Sequence, residues 1–416
     1  RSKVLLDLAV SEQGLGNYDA ALANLAEAQG CVPAVRPGHP DSALIPAIHR
    51  VRGEVFMQRG SYKDAVEQFG LGLGASPDGA ERARLLVLLG IVAFRQGDYA
   101  QALSWSADSE ALIAQGGHPK EVGRAQNLAG LCLWRTGDIA GADARFRKAL
   151  LLREQACDFI GVGDTLFNLA SLATGLGRYE EAVNTGRKAL ELHCRLGDPQ
   201  RMAQASCNVG IYEMYAGDLD AGAAHLGEAV ETARRIGDRF NEGLAILNLG
   251  EIALKRGDRD EAVRRVREAL PILEELQSKG NVAQGLLILG EALEGQAGRE
   301  TEAWEALQKG LHLAEEAGEK MVVGMAYYRI SRFYRIAGRQ EEALAWAGKG
   351  VAILQDAGFK LELGRAYTEL AAVLDAQGKP DLAKGTREKA IALFEELGSA
   401  KEADKVRAAG TPARAG

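Results

Sequence analysis

The chain has 416 residues, 47% of them hydrophobic and 26% charged, so it can bury a large apolar core. Its formal charge of −7 excludes an extended nucleic-acid surface, which needs clustered lysine and arginine to displace counterions. The longest apolar run, Leu85 to Phe94, is too short to cross a bilayer, which takes about 20 apolar residues.

In chain order, the sequence opens at Arg1 inside a helical pattern, and we expect a piece of a longer protein or a processed one. A turn follows at Gly16, then a stiffened connector within Cys31–Pro46, where Pro33, Pro37 and Pro40 interrupt any helix. A short unit turns at Gly60 and ends near Pro77. Further turns are predicted at Gly97, Gly137, Gly177, Gly217, Gly257, Gly298, Gly338 and Gly378, almost all 40 residues apart. A period of that size means one supersecondary unit copied ten times, so an all-α solenoid is predicted over residues 1–398. A capping helix is expected over 399–409 and a flexible tail over 410–416.

The unit around Gly257 shows how each copy is built. Leu244, Leu247, Leu249, Ile252 and Leu254 are spaced for a helix, and Gly257 ends it, because the residue just past a helix often needs positive φ. Asp258 or Asp260 can cap the next helix, whose apolar face is Ala262, Val266, Ala269 and Leu270. A small residue stands seven places before most turns (Ala9, Gly53, Gly90, Gly130, Ala170, Gly210, Gly250, Ser331, Ala371), with Gly290 in the unit that has one inserted residue. Alanine stands five places after nine of the ten turns, Gly222 being the exception. Small residues at matched heights let two helices approach closely; a larger side chain there costs about 1–3 kcal/mol.

This pattern resembles the tetratricopeptide repeat, carried best by Leu249-Gly250, the Gly257 turn and Ala262. The long period is similar to that of kinesin light chains and of repeat arrays in large bacterial signalling proteins. The resemblance implies a right-handed superhelix whose first helices line a concave groove. It also implies a cytoplasmic interaction scaffold that binds a peptide or partner segment, as a regulatory or sensor region of a larger bacterial signalling protein. Self-association through the solenoid ends is open. The alternative is a small-ligand sensor domain of a transcriptional activator, in which Trp134 and Tyr215 stack on a sugar or metabolite.

Asn168, Asn208 and Asn248 stand nine residues before their turns, and Asn127 ten before its own. An amide offers both donor and acceptor and so pairs with any peptide backbone; related arrays use asparagines at the matching place for that purpose. The other reading is that the amides satisfy neighbouring helices. Around them Phe94, Leu131, Trp134, Phe167, Ile211, Tyr215 and Leu247 are expected on the inner face, shared between groove and core. Tyr328, Arg329, Arg332 and Arg335 share a helix face and form a candidate clamp for an acidic ligand, or else a basic face balanced by Glu251, Glu291 and Glu294.

No catalytic constellation is visible. Gly70-Leu71-Gly72-Leu73-Gly74 lacks the Lys-Ser or Lys-Thr of a phosphate loop, the six histidines have no ligand spacing, and no Gly-x-Ser-x-Gly occurs. The five cysteines have no Cys-x-x-Cys pair, which fits a reducing compartment. We expect no enzyme activity, metal or cofactor.

Overall fold

The computed structural model describes residues 1–14, 16–32, 44–76, 79–113 and 118–409. Pro33, Pro37, Pro40, Pro77 and the tail expected over 410–416 lie outside the described residues. Among the described residues there are helices and turns and no strand. None of the helices is long and apolar enough to cross a membrane.

The chain divides into two compact units, Arg1–Asn168 and Leu169–Gly416. The first holds α1 (Ser2–Gly14), α2 (Tyr18–Cys31), α3 (Leu44–Gln58), α4 (Tyr62–Ala75), α5 (Ala80–Arg95), α6 (Tyr99–Ile113), α7 (Pro119–Thr136) and α8 (Ile139–Gln155). The division falls inside α9 (Phe159–Gly175). The second unit continues with α10 (Tyr179–Leu196), α11 (Pro199–Ala216), α12 (Leu219–Ile236), α13 (Arg239–Arg256), α14 (Arg259–Glu275) and α15 (Lys279–Leu293). It ends with α16 (Glu300–Glu316), α17 (Lys320–Ile336), α18 (Gln340–Asp356), α19 (Lys360–Ala376), α20 (Pro380–Glu396) and α21 (Ala400–Ala409).

Each odd-numbered helix up to α19 pairs with the even one after it through a turn at one of the ten predicted glycines. All ten turn glycines have φ between 71 and 91°. A Cβ is strained in that left-handed region, so glycine is the residue that stops the helix there. After Gly257, Asp258 is the cap: its side chain accepts from the Glu261 N–H at 3.1 Å, and Asp138, Asp218 and Asp238 cap their helices the same way. The turns between pairs use Gly197, Gly237, Gly318, Gly358 and Gly398, also left-handed. At two such junctions a side chain takes the strained place, Cys157 at φ 51° and Gln277 at φ 53°.

The small residues work as spacers. A Cβ on Gly130 would lie 2.6 Å from the Phe146 ring, and one on Gly290 would lie 2.6 Å from Leu307. Gly53 faces Phe69 in the same way. Phe69 and Phe146 are among the largest fully buried side chains, so glycine on one helix makes the hole that the next helix fills. The alanines five residues after the turns are all fully buried, from Ala21 to Ala383. Where Gly222 replaces alanine, a Cβ would stand 2.9 Å from the Gly210 carbonyl, so that pair packs backbone on backbone. Ser331 donates its hydroxyl to the Ala343 carbonyl at 2.8 Å and so satisfies its polar atom within the pair.

Candidate functional site

The first helix of each pair presents residues at helical spacing to one face, here called the inner face, and the two units furnish it differently. In the first unit, α7 carries Asn127, Leu131 and Trp134, all half-buried and three or four residues apart, so they form one stripe. Phe94, at the end of α5, is half-buried and tilts against Tyr99, with ring centres 5.5 Å apart. On α9, Phe167 is nearly buried and Asn168 half-buried. Asn168 Nδ2 donates to Asn127 Oδ1 at 2.9 Å, joining the inner faces of α7 and α9. That bond uses one donor of Asn168 and the carbonyl of Asn127. The Asn127 amino group and the Asn168 carbonyl take no part in it and complement the N–H and C=O of an extended backbone.

In the second unit Asn208 is half-buried on α11, and Ile211 lies against the core. Asn248 is buried and donates to the Leu244 carbonyl of its own helix at 2.7 Å. Leu247, expected to be shared between groove and core, is fully buried within the core. Tyr215 stacks on Tyr179 at 6.0 Å and 13°, with the Arg365 guanidinium 5.8 Å from its ring centre. Burial raises both phenols, Tyr179 to about 12.

Tyr328, Arg329, Arg332 and Arg335 stand together on α17, and each meets a carboxylate of the same unit. Tyr328 donates its hydroxyl to Glu362 at 2.9 Å. Arg329 Nε donates to Glu291 at 2.9 Å, and Arg332 Nη1 donates to the other oxygen of Glu291 at 2.7 Å. Arg332 Nε also stands 3.1 Å from Glu294. Arg335 binds Glu369 through two nitrogens, at 2.7 and 3.1 Å. Burial pushes the Glu291 carboxyl up, but the two arginines outweigh it and hold it below its ordinary value. For Glu294 burial wins over Arg332, and its pKa rises to about 8. Among the described residues no group of three or more His, Cys, Asp or Glu is placed to hold a metal ion.

Tetratricopeptide repeat models match residues 6–80 and 52–109, and again residues 121–195 and 201–275, together well over half of the chain. The chain belongs to the tetratricopeptide repeat family. No curated protein sequence matches it. Among solved structures, this tetratricopeptide repeat chain is similar to a Rap protein complexed with competence and sporulation factor, with TM-score 0.60 and 15% identity over 96% of this chain and 98% of that one. The apo quorum sensor NprR from B. thuringiensis matches with TM-score 0.59 and 14% identity, over 81% and 94% of the two chains. The Rap conjugation gene regulator of the plasmid pLS20, in complex with the Phr* peptide, matches with TM-score 0.58 and 15% identity, over 87% and 97%. At these identities the likeness is one of fold.

The repeat register places charged residues of the second unit where the first carries amides and apolar groups. Arg329 and Glu369 each stand nine residues before their turn glycines, the place that Asn168 and Asn208 hold in earlier repeats. Arg332, Glu251 and Leu131 likewise share the place six residues before the turn. Glu369, absent from the motif-based candidates, is the partner that Arg335 binds. Arg365 and Glu362 lie further up the same helix, where the repeats are otherwise mixed, and only the folded chain brings them to Tyr215 and Tyr328.

Proposed function

We propose that this chain is a peptide-binding regulatory scaffold of a signalling protein, and that the inner face of the first unit takes an extended partner segment. The observation that carries this reading is the Asn127–Asn168 pair, two half-exposed amides linked at 2.9 Å with a donor and an acceptor to spare. Leu131 and Trp134 flank it with apolar surface for the segment's side chains. The fold supports the reading as well, since the Rap protein was solved complexed with competence and sporulation factor and the pLS20 regulator in complex with the Phr* peptide.

The test uses peptides selected from a displayed random library against the full chain, with affinity then measured by fluorescence anisotropy. Replacing Asn127 and Asn168 together by alanine is expected to weaken binding about tenfold, about 1.4 kcal/mol, with the melting temperature nearly unchanged. Unchanged affinity, or a steep loss of stability without loss of affinity, would make the pair a structural link and end the proposal.

A further inference from the structure

The C-terminal helix α21 has two faces with different chemistry. Ala403 and Val406 are buried with Ala390 and Phe394 of α20, which anchors α21 to its neighbour. The other face reaches back to residues far earlier in the chain. Lys401 Nζ donates to the Ala216 carbonyl at 2.7 Å. That carbonyl is at the C-terminal end of α11, where unsatisfied C=O groups attract a cation. Glu402 lies 3.4 Å from Arg365 Nη2, and Arg365 also binds Glu362 at 2.7 Å beside the Tyr215 ring. Just ahead of the helix, a Cβ on Gly177 would stand 2.5 Å from Ser399 Oγ and 2.7 Å from the Leu397 carbonyl.

The turn glycines give an independent sign of this contact. Gly257, Gly298, Gly338 and Gly378 have nothing within 4 Å of where a Cβ would be. Gly177 and Gly217 are crowded, and in both cases by the segment from Leu397 to Lys401. The end of the second unit thus sits on the turns at its beginning, over Tyr215 and Arg365 on its own inner face.

We infer that α21 is a releasable strap that holds the inner face of the second unit shut. Its anchor on α20 is apolar and stays in place. Its distal hold includes an exposed ammonium–carbonyl bond, which water can replace, and a partly buried ion pair, which salt weakens less. Lifting the strap uncovers Tyr215 and Arg365 without unfolding the repeats. The inference does not depend on the peptide surface proposed for the first unit.

Hydrogen exchange of the full chain, read by mass spectrometry, tests it. In a Lys401→Ala, Glu402→Ala variant, segments 173–182 and 212–220 are expected to exchange about tenfold faster, while 380–409 keeps its protection. The unmodified chain is expected to shift the same way when salt is raised to about 1 M. Exchange in those two segments that stays at the wild-type, low-salt rate in both experiments overturns the strap. So does loss of protection throughout α19 and α20 in salt, because the closure would then be part of the global fold.

Discussion

In the first unit, two neutral amides meet between α7 and α9 beside Leu131 and Trp134. In the second, equivalent repeat places carry Arg329, Arg332 and Glu369, tied to Glu291, Glu294 and Arg335. Each arrangement suits a different task. A half-exposed amide is nearly neutral in free energy whether or not it is paired, because water serves as well, so it can be given up to a partner. A guanidinium that is 7% exposed, as Arg329 is, has lost its water and must keep its carboxylate. In the first unit these amides stay half-exposed, while in the second the charged residues of α15, α17 and α19 bind one another.

The largest expected effect tests that contrast. Glu291→Ala leaves Arg329 and Arg332 without the carboxylate that both bind, and should cost about 3–5 kcal/mol in urea unfolding. Asn168→Ala in the first unit should cost less than about 1 kcal/mol. Similar losses from the two changes would break the comparison.

Next comes a steric test of a feature common to both units. Gly130→Ala in the first unit puts a methyl 2.6 Å from the fully buried Phe146 ring and should cost about 1–3 kcal/mol. Gly348 in α18 has nothing within 4 Å, so Gly348→Ala there should gain up to about 1 kcal/mol from helix propensity. Melting temperatures moving in opposite directions would show that glycine inside these helices is kept for fit rather than for flexibility.

A pH series sharpens the charged side of the contrast. Glu294 faces Arg332, Glu291, Glu369 and Arg259, and burial raises its folded pKa to about 8. Between its ordinary range and pH 8 the folded chain holds a proton that the unfolded chain has released. Stability attributable to this group is therefore greatest at low pH and falls as pH rises through that window. Glu294→Gln should remove up to about 4 kcal/mol of that pH dependence between pH 5 and about 9, read as a flatter plot of melting temperature against pH.

Legibility in the sequence followed how local each cause is. The turn glycines and the buried alanines were readable because positive φ and close approach are demands made within one pair of helices. The side on which Leu247 and Asn248 fall was not, since neighbouring residues differ by only about 100° around a helix and both borders of the apolar stripe look alike. The partners of Arg335 and Tyr328 lie 34 residues away on the next odd-numbered helix, so the pairing appears only in the folded chain. The return of Lys401 to Ala216, 185 residues apart, depends on rotation accumulated over several pairs and leaves no mark in any single repeat.

The smallest effect asks whether the two units hold their backbones equally firmly. Cys157 in the first and Gln277 in the second occupy the left-handed junction place that glycine holds elsewhere, and both side chains are exposed. Both junctions close alike: Asp158 donates its N–H to the Arg153 carbonyl at 2.9 Å, and Ser278 donates to Leu273 at 3.0 Å. Because no buried contact is lost, Cys157→Gly and Gln277→Gly should each gain about 0.5–1 kcal/mol by relieving the Cβ clash, seen as a small rise in melting temperature. Equal gains would mean that the two units clamp this turn to the same degree. A smaller gain at Gln277 would mean that the ion-paired unit already holds the turn for its own reasons, and a gain at neither would show that the strain is absorbed locally before it reaches the fold.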